Sequence, residues 1–302
     1  MDRRHFLRRT LATALLPGAT LFFTRKSLGN ALSVLLDQTD EEICLEKFAL
    51  VRDQHLEDKP IAELIVAIGN SFIGTEYGEH LLEEEGPEHL VVNLRRLDCV
   101  TFYESSLAIA RCVKLKKATF DEFKAQLQLI RYRGGVIDGY SSRLHYTSDA
   151  WADDEKRGIL RVVTKDLFGV KQLRRIPSPV NFMSTHRSAY RQLADGKFFD
   201  AMKRKEEEIS KREVYFLPKG HLPGLSYRIT PGSLIGITTS VPGLDISHTG
   251  IAVRAEDGSL HLLHAPDVGD KVQVSQLSLE EYLSRNRKQT GIVIAEALEP
   301  HS

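Results

Sequence analysis

The segment NLRRLDCVTFYESSLAIARC, residues 93–112, places a cysteine near each end of one helical stretch. Asp98 is a good N-cap residue, and Thr101 with Glu104 suits a capping box one step later. Either start puts Cys99 in the first turn or just before it. There the free backbone N–H groups and the positive end of the helix dipole favour a thiolate. Cys112 lies thirteen residues further on, about 220° round the helix at 100° per residue. It sits near the C-terminal end among Ala110, Val113 and Leu115, so it reads as a small buried hydrophobe. Of the two thiols, Cys99 is the candidate nucleophile.

Working outward, helical spacing recurs at 40–56, at 60–72 with a proline at its start, at 98–116 and at 119–132, where Gly134-Gly135 stops it. Residues 136–186 show no clear period and predict irregular connections and short strands. Residues 187–213 predict a helix whose KRKEEEISKRE run is an ordinary solvated face. From residue 214 the pattern turns to short β-branched runs: PGSLIGITT, SHTGIAVRA, LHLLHAP, KVQVSQL and GIVIAEAL. Helices first and an antiparallel sheet afterwards is an α+β layout, expected as one domain over 40–300.

A nucleophilic cysteine needs a base, and His248 and His264 lie on successive predicted strands. A three-residue loop, Ala255-Glu256-Asp257, sets 254 opposite 258 and 248 opposite 264; two- or four-residue loops put the imidazoles on opposite faces. His261 and His264 point to opposite faces of one strand, so they do not share an ion. No metal site and no cofactor is expected. Phosphate-cradling loops and a Gly-x-Ser-x-Gly elbow are absent.

The chain has 41 basic and 41 acidic residues among 302, which argues against a nucleic-acid binder. Three cysteines are too few for a disulfide scaffold, and whether Cys44 pairs with Cys112 is open. Arg3, Arg4, Arg8 and Arg9 precede the uncharged run LATALLPGATLFF, which is short for a membrane span. That is the layout of an export signal, and Arg3-Arg4-His5-Phe6-Leu7 resembles the twin-arginine type. Cleavage is expected after Ala31, leaving 35 basic and 40 acidic residues.

The order of parts resembles the NlpC-type, papain-like cysteine peptidases and amidases of bacterial cell walls. Within them the chain is most similar to the N-acetylmuramoyl-L-alanine amidase-like family. The pieces that carry the likeness are GTEY (74–77), LVVNLRRLDCVTFYESSLAIA (90–110), YRGGVIDGYSSRLHYTSD (132–149), GLDISHTGIAV (243–253) and LHLLHA (260–265). The resemblance implies a papain-like fold, a helical N-terminal half packed on an antiparallel sheet, with a family-specific insertion around 134–225. It implies Cys99 as nucleophile, His248 as general base and His264 as the residue orienting it. Tyr77 and Asp98 match positions that line the pocket. Arg143, His145 and Tyr146 are expected to contact substrate, with a core role for Tyr77 and a structural salt bridge for Arg143 as the plainer readings. Trp151 reads as core.

The activity implied is hydrolysis of the amide between N-acetylmuramic acid, in its ordinary or 1,6-anhydro form, and L-alanine of the stem peptide. The alternatives are an endopeptidase cutting within the stem and an inactive relative that binds muropeptides. Expected partners are peptidoglycan fragments in the periplasm and, for the precursor, the twin-arginine export machinery; no nucleic acid and no integral membrane segment after signal removal are expected.

Overall fold

The thiol-bearing helix is the centre of the molecule. In a computed structural model, which describes residues 38–267, 269 and 271–301, helix α3 runs Cys99–Lys114 and is buried at every position from Thr101 to Val113. The export-signal reading of 1–31 lies outside the described residues. Helices α1 (Asp40–Asp53), α2 (Ile61–Ser71) and α4 (Phe120–Arg131) surround α3. Each of α1 and α4 starts on a threonine whose hydroxyl accepts a backbone N–H, Thr39 from Glu42 and Thr119 from Glu122. Pro60 stands just before α2. Residues from Thr39 onward belong to one compact unit.

Among the described residues, eight strands form one antiparallel sheet. They are β3 (Leu160–Val162), β4 (Arg174–Arg175), β5 (Tyr215–Pro218), β6 (Leu234–Thr239), β7 (Ile246–Arg254), β8 (Leu260–His264), β9 (Gln273–Val274) and β10 (Gln289–Ala297). The spatial order is β4-β5-β10-β6-β7-β8-β9, with β3 also pairing β10. Two short strands, β1 (Glu76–Tyr77) and β2 (Arg96–Leu97), pair in parallel just ahead of α3. The large sheet is covered on both faces. Leu234, Ile251, Leu263 and Val293 pack with the helices, while Ile235, Ile237, Ala252, Leu262 and Ile294 join a second core. Double coverage explains why these strands read as apolar runs and not as clean alternation.

The α+β layout stands, and the structure corrects two local expectations. Within 136–186 a helix, α5 (Thr147–Lys156), carries the fully buried Trp151. Its acidic residues hid it. Asp149 is paired with Arg133 and Arg212, and Asp154 with Arg157, so charges that look solvated in sequence lie inside. The expected helix over 187–213 is instead two short 3-10 turns followed by α6, Gly196–Ser210. Asp195 starts it, accepting the Lys197 N–H at 2.7 Å. Past β9, Ser278 caps a further helix, α7 (Leu279–Arg285), between two of the predicted strands in the region from 214 that reads as strands.

Candidate active site

Asp98 sets the start of α3. Its Oδ1 accepts the N–H groups of Val100 at 2.9 Å and Thr101 at 2.7 Å, while Thr101 Oγ1 accepts the Asp98 N–H at 2.9 Å. The capping box therefore begins at Asp98, and Cys99 is the first helical residue. Its side chain is half-buried. Across from it, the Thr249 hydroxyl donates to the Cys99 carbonyl at 2.7 Å and pins β7 to the helix start.

His248, next to that anchor, has its Nε2 2.7 Å from Nδ1 of His264. The rings meet edge to face, with centroids 5.0 Å apart. Their register differs from the expected one. Arg254 faces Leu260 and Val253 faces His261, so His248 lies diagonal to His264 and not directly opposite it. The ladder continues as the Ala255 N–H bonds the Ser259 carbonyl, and the loop is Glu256-Asp257-Gly258, with Gly258 at φ +83°. The slip is two residues. Because side chains alternate with period two, it keeps both imidazoles on one face. Diagonal neighbours remain within reach for long side chains.

Beyond this pair, the Tyr282 ring of α7 stands edge-on to His264 at 5.4 Å. Burial raises the Tyr282 pKa, and the charges of Asp267 and Cys99 add to the rise. Tyr77, which pairs in β1 with Leu97 two residues before Cys99, is half-buried. Burial and then the charges of Cys99, Asp98 and Asp267 push it up to about 12.

Electrostatics make the site neutral. Burial, reinforced by the Asp98 carboxylate, pushes the Cys99 thiol up to about 12, and the Thr249 N–H and hydroxyl pull back only part of that. Burial lowers His248 to about 4 against the opposing pull of Asp267. Burial and its neighbour His248 lower His264 to about 3. The thiolate expected from the helix dipole is therefore overruled by desolvation, which disfavours charge on either partner. Cys112 and Cys44 are both sealed in the core, and neither forms a disulfide.

A family model described as N-acetylmuramoyl-L-alanine amidase-like matches residues 67–292, from within α2 into β10. The chain belongs to the N-acetylmuramoyl-L-alanine amidase-like family. Among solved structures it is similar to an N-acetylmuramoyl-L-alanine amidase from Bacteroides uniformis, with 38% identity, 78% of this chain and 98% of that one covered, and a TM-score of 0.72. A Bacteroides fragilis protein that bears the name of a xylanase is 37% identical over 76% of this chain and 98% of its own, with a TM-score of 0.70. A Legionella pneumophila protein, 22% identical over 88% of this chain and 96% of its own, shares the fold at a TM-score of 0.61. No curated protein is a match.

The family stretch Arg143–Tyr146 makes its contacts inside the protein. Arg143 is 5% exposed; it pairs with Glu83 at 2.6 Å and donates to the Leu82 carbonyl at 2.6 Å. Tyr146 is 3% exposed; its hydroxyl donates to Glu206 at 2.6 Å and accepts the Met183 N–H at 2.9 Å. Both side chains are thus buried and engaged by partners inside the protein. His145 donates from Nε2 to the Tyr140 carbonyl at 2.9 Å, and burial lowers it to about 3.

Thr249, Asp267 and Tyr282 belong to the site and were not singled out from sequence. Thr249 adjoins His248, and that adjacency was a usable signal. Tyr282 had none, since it reaches His264 only through the packing of α7 against β8. Among the described residues, no three His, Cys, Asp or Glu side chains are grouped to hold a metal, and no helix is long and apolar enough to cross a membrane.

Proposed function

We propose that this chain is a cell-wall amidase that cleaves between N-acetylmuramic acid and L-alanine of the stem peptide, with Cys99 as nucleophile, His248 as general base and His264 as its orienting partner. The observation that carries this reading is the 2.7 Å His248–His264 bond on the strand whose Thr249 is tied to Cys99. A helix-borne cysteine followed by two histidines on successive antiparallel strands also supports the NlpC-type, papain-like assignment. The name of the Bacteroides uniformis relative supports the substrate class. The signal layout of residues 1–31 supports action in the periplasm.

The hydrogen bond sets the proton inventory. In the tautomer this reading assigns, His248 Nε2–H donates to His264 Nδ1 across the 2.7 Å contact, and His248 Nδ1 is then the acceptor for the thiol proton. As Sγ bonds to the lactyl carbonyl carbon, its proton moves to Nδ1. When the C–N bond breaks, the same proton goes to the departing alanine nitrogen. Water then attacks the thioester, giving its proton to His248, and Cys99 leaves as a thiol. Asp98 occupies the N–H groups of Val100 and Thr101, so the Cys99 N–H is the helix-start donor left for the oxyanion.

Glycoside cleavage, suggested by the name of the Bacteroides fragilis relative, calls for two free carboxyl groups about 5–10 Å apart across the sugar bond. Asp98, the carboxylate beside Cys99, is instead engaged as the helix cap.

Mass analysis of products from a muramoyl-tripeptide tests the bond cut. Free stem peptide with an N-terminal alanine is the expected result. Alanine remaining on the sugar would instead identify an endopeptidase. The neutral pair also predicts the pH profile: kcat/KM should hold from about pH 8 down to about pH 5 and fall only as His248 protonates near 4. An acid limb centred near 6.5, the ordinary histidine value, would contradict it.

A further inference from the structure

A cleft of about 600 Å³ opens from the two imidazoles, lined by Ser247, His248, His264, Tyr282, Lys288 and Gln289 among others, and Cys99 is not part of its wall. Its volume lies within the range of small-ligand sites, about 300–1,000 Å³. In amide hydrolysis the departing nitrogen must take its proton from the histidine, so the leaving half of the substrate extends past the imidazole, away from the sulfur. The cleft borders both imidazoles and not Cys99, as a leaving-group space would.

Its lining points to one ligand chemistry. Lys288 is exposed and, among the described residues lining the cleft, carries the one permanent positive charge. Asp267, in the same wall, acts on His248 and repels a carboxylate from the ground beside it. Gln289 is 6% exposed; its amide interacts with the Tyr282 hydroxyl, while its Oε1 is buried with no hydrogen-bond partner in the protein. An amide N–H entering the cleft supplies the missing donor.

Resting on the amidase reading above, we infer that this cleft holds the amine-side product, a short acidic peptide, with Lys288 pairing one of its carboxylates and Gln289 accepting a peptide N–H. The charge thus selects stem peptides with free carboxylates over amidated ones.

The test titrates the full chain with L-alanyl-D-glutamate and with its diamide, following binding by NMR. Wild type should bind the diacid about two- to fivefold more tightly than the diamide, the range of an exposed ion pair. Lys288→Ala should lose that preference, and Lys288→Arg should keep it. Equal binding of the diacid by wild type and Lys288→Ala, or no binding by wild type, overturns the inference. Turnover of a muramoyl-peptide is measured in parallel. If wild type hydrolyses it but binds the dipeptide without regard to residue 288, this inference falls and the amidase reading stands. If Lys288-dependent binding occurs without hydrolysis, the amidase reading falls and the cleft remains a peptide site.

Discussion

Cys99→Ala should lower kcat by about 10⁴-fold or more, the scale on which removal of a nucleophile acts in enzymes that work through one. The helix start should survive the change, because its capping bonds run between Asp98, Val100 and Thr101 and involve no atom of the thiol. Product binding and thermal stability should therefore stay close to wild type. Cys112→Ala is the matched control. That side chain is wholly buried thirteen residues along the same helix, so its loss acts on stability and leaves the chemistry in place. Peptide release from a muropeptide mixture, followed by mass spectrometry, separates the two variants. Near-normal release by Cys99→Ala would remove the thiol from the mechanism.

The second large effect is on stability. Arg131 and Glu104 meet at 2.8 Å with each side chain 3% exposed, and the Arg131 guanidinium also donates to the Val91 carbonyl at 2.5 Å. Glu104 projects from α3 five residues after the thiol, so this pair fastens the thiol-bearing helix to α4. Arg131→Ala leaves a buried carboxylate without its partner and should cost about 3–5 kcal/mol. For a unit of this size that lowers Tm by roughly 10 °C. Burial already raises the Glu104 pKa, with Arg131 opposing the rise. With Arg131 gone the folded pKa climbs further above its unfolded value. The unfolded chain is then the more ionised one, so the deficit is largest at neutral pH and shrinks as acidification protonates Glu104 in both states. Differential scanning calorimetry at pH 7 and pH 5 checks both statements. A Tm within 2 °C of wild type at pH 7 would mean that the helix needs no such clamp.

Local rules carried far in this protein wherever one residue speaks for its own neighbourhood. Asp98 announces a helix start because a short carboxylate reaches the next two backbone N–H groups, and no distant contact is needed for that. Cys99 and Cys112 separate on helix geometry alone. The face shared by His248 and His264 survived a wrong register because the slip is two residues; a slip of one would have put the rings on opposite faces. The register itself depended on how the 255–259 turn closes, with Gly258 at positive φ taking the loop position that Asp257 was expected to end.

What the sequence determined by itself is the α+β layout, the thiol at a helix start and two histidines on successive strands, because those rest on propensities and periods of a few residues. Only the tertiary structure decided that Arg143 and Tyr146 face inward, that Asp149 and Asp154 are buried on a helix, and that Thr249, Tyr282, Lys288 and Gln289 gather around the imidazoles. It also decided that the thiol and both histidines rest neutral. Desolvation and ion pairing depend on which distant segments close over a group, and the chain order of those segments does not state it.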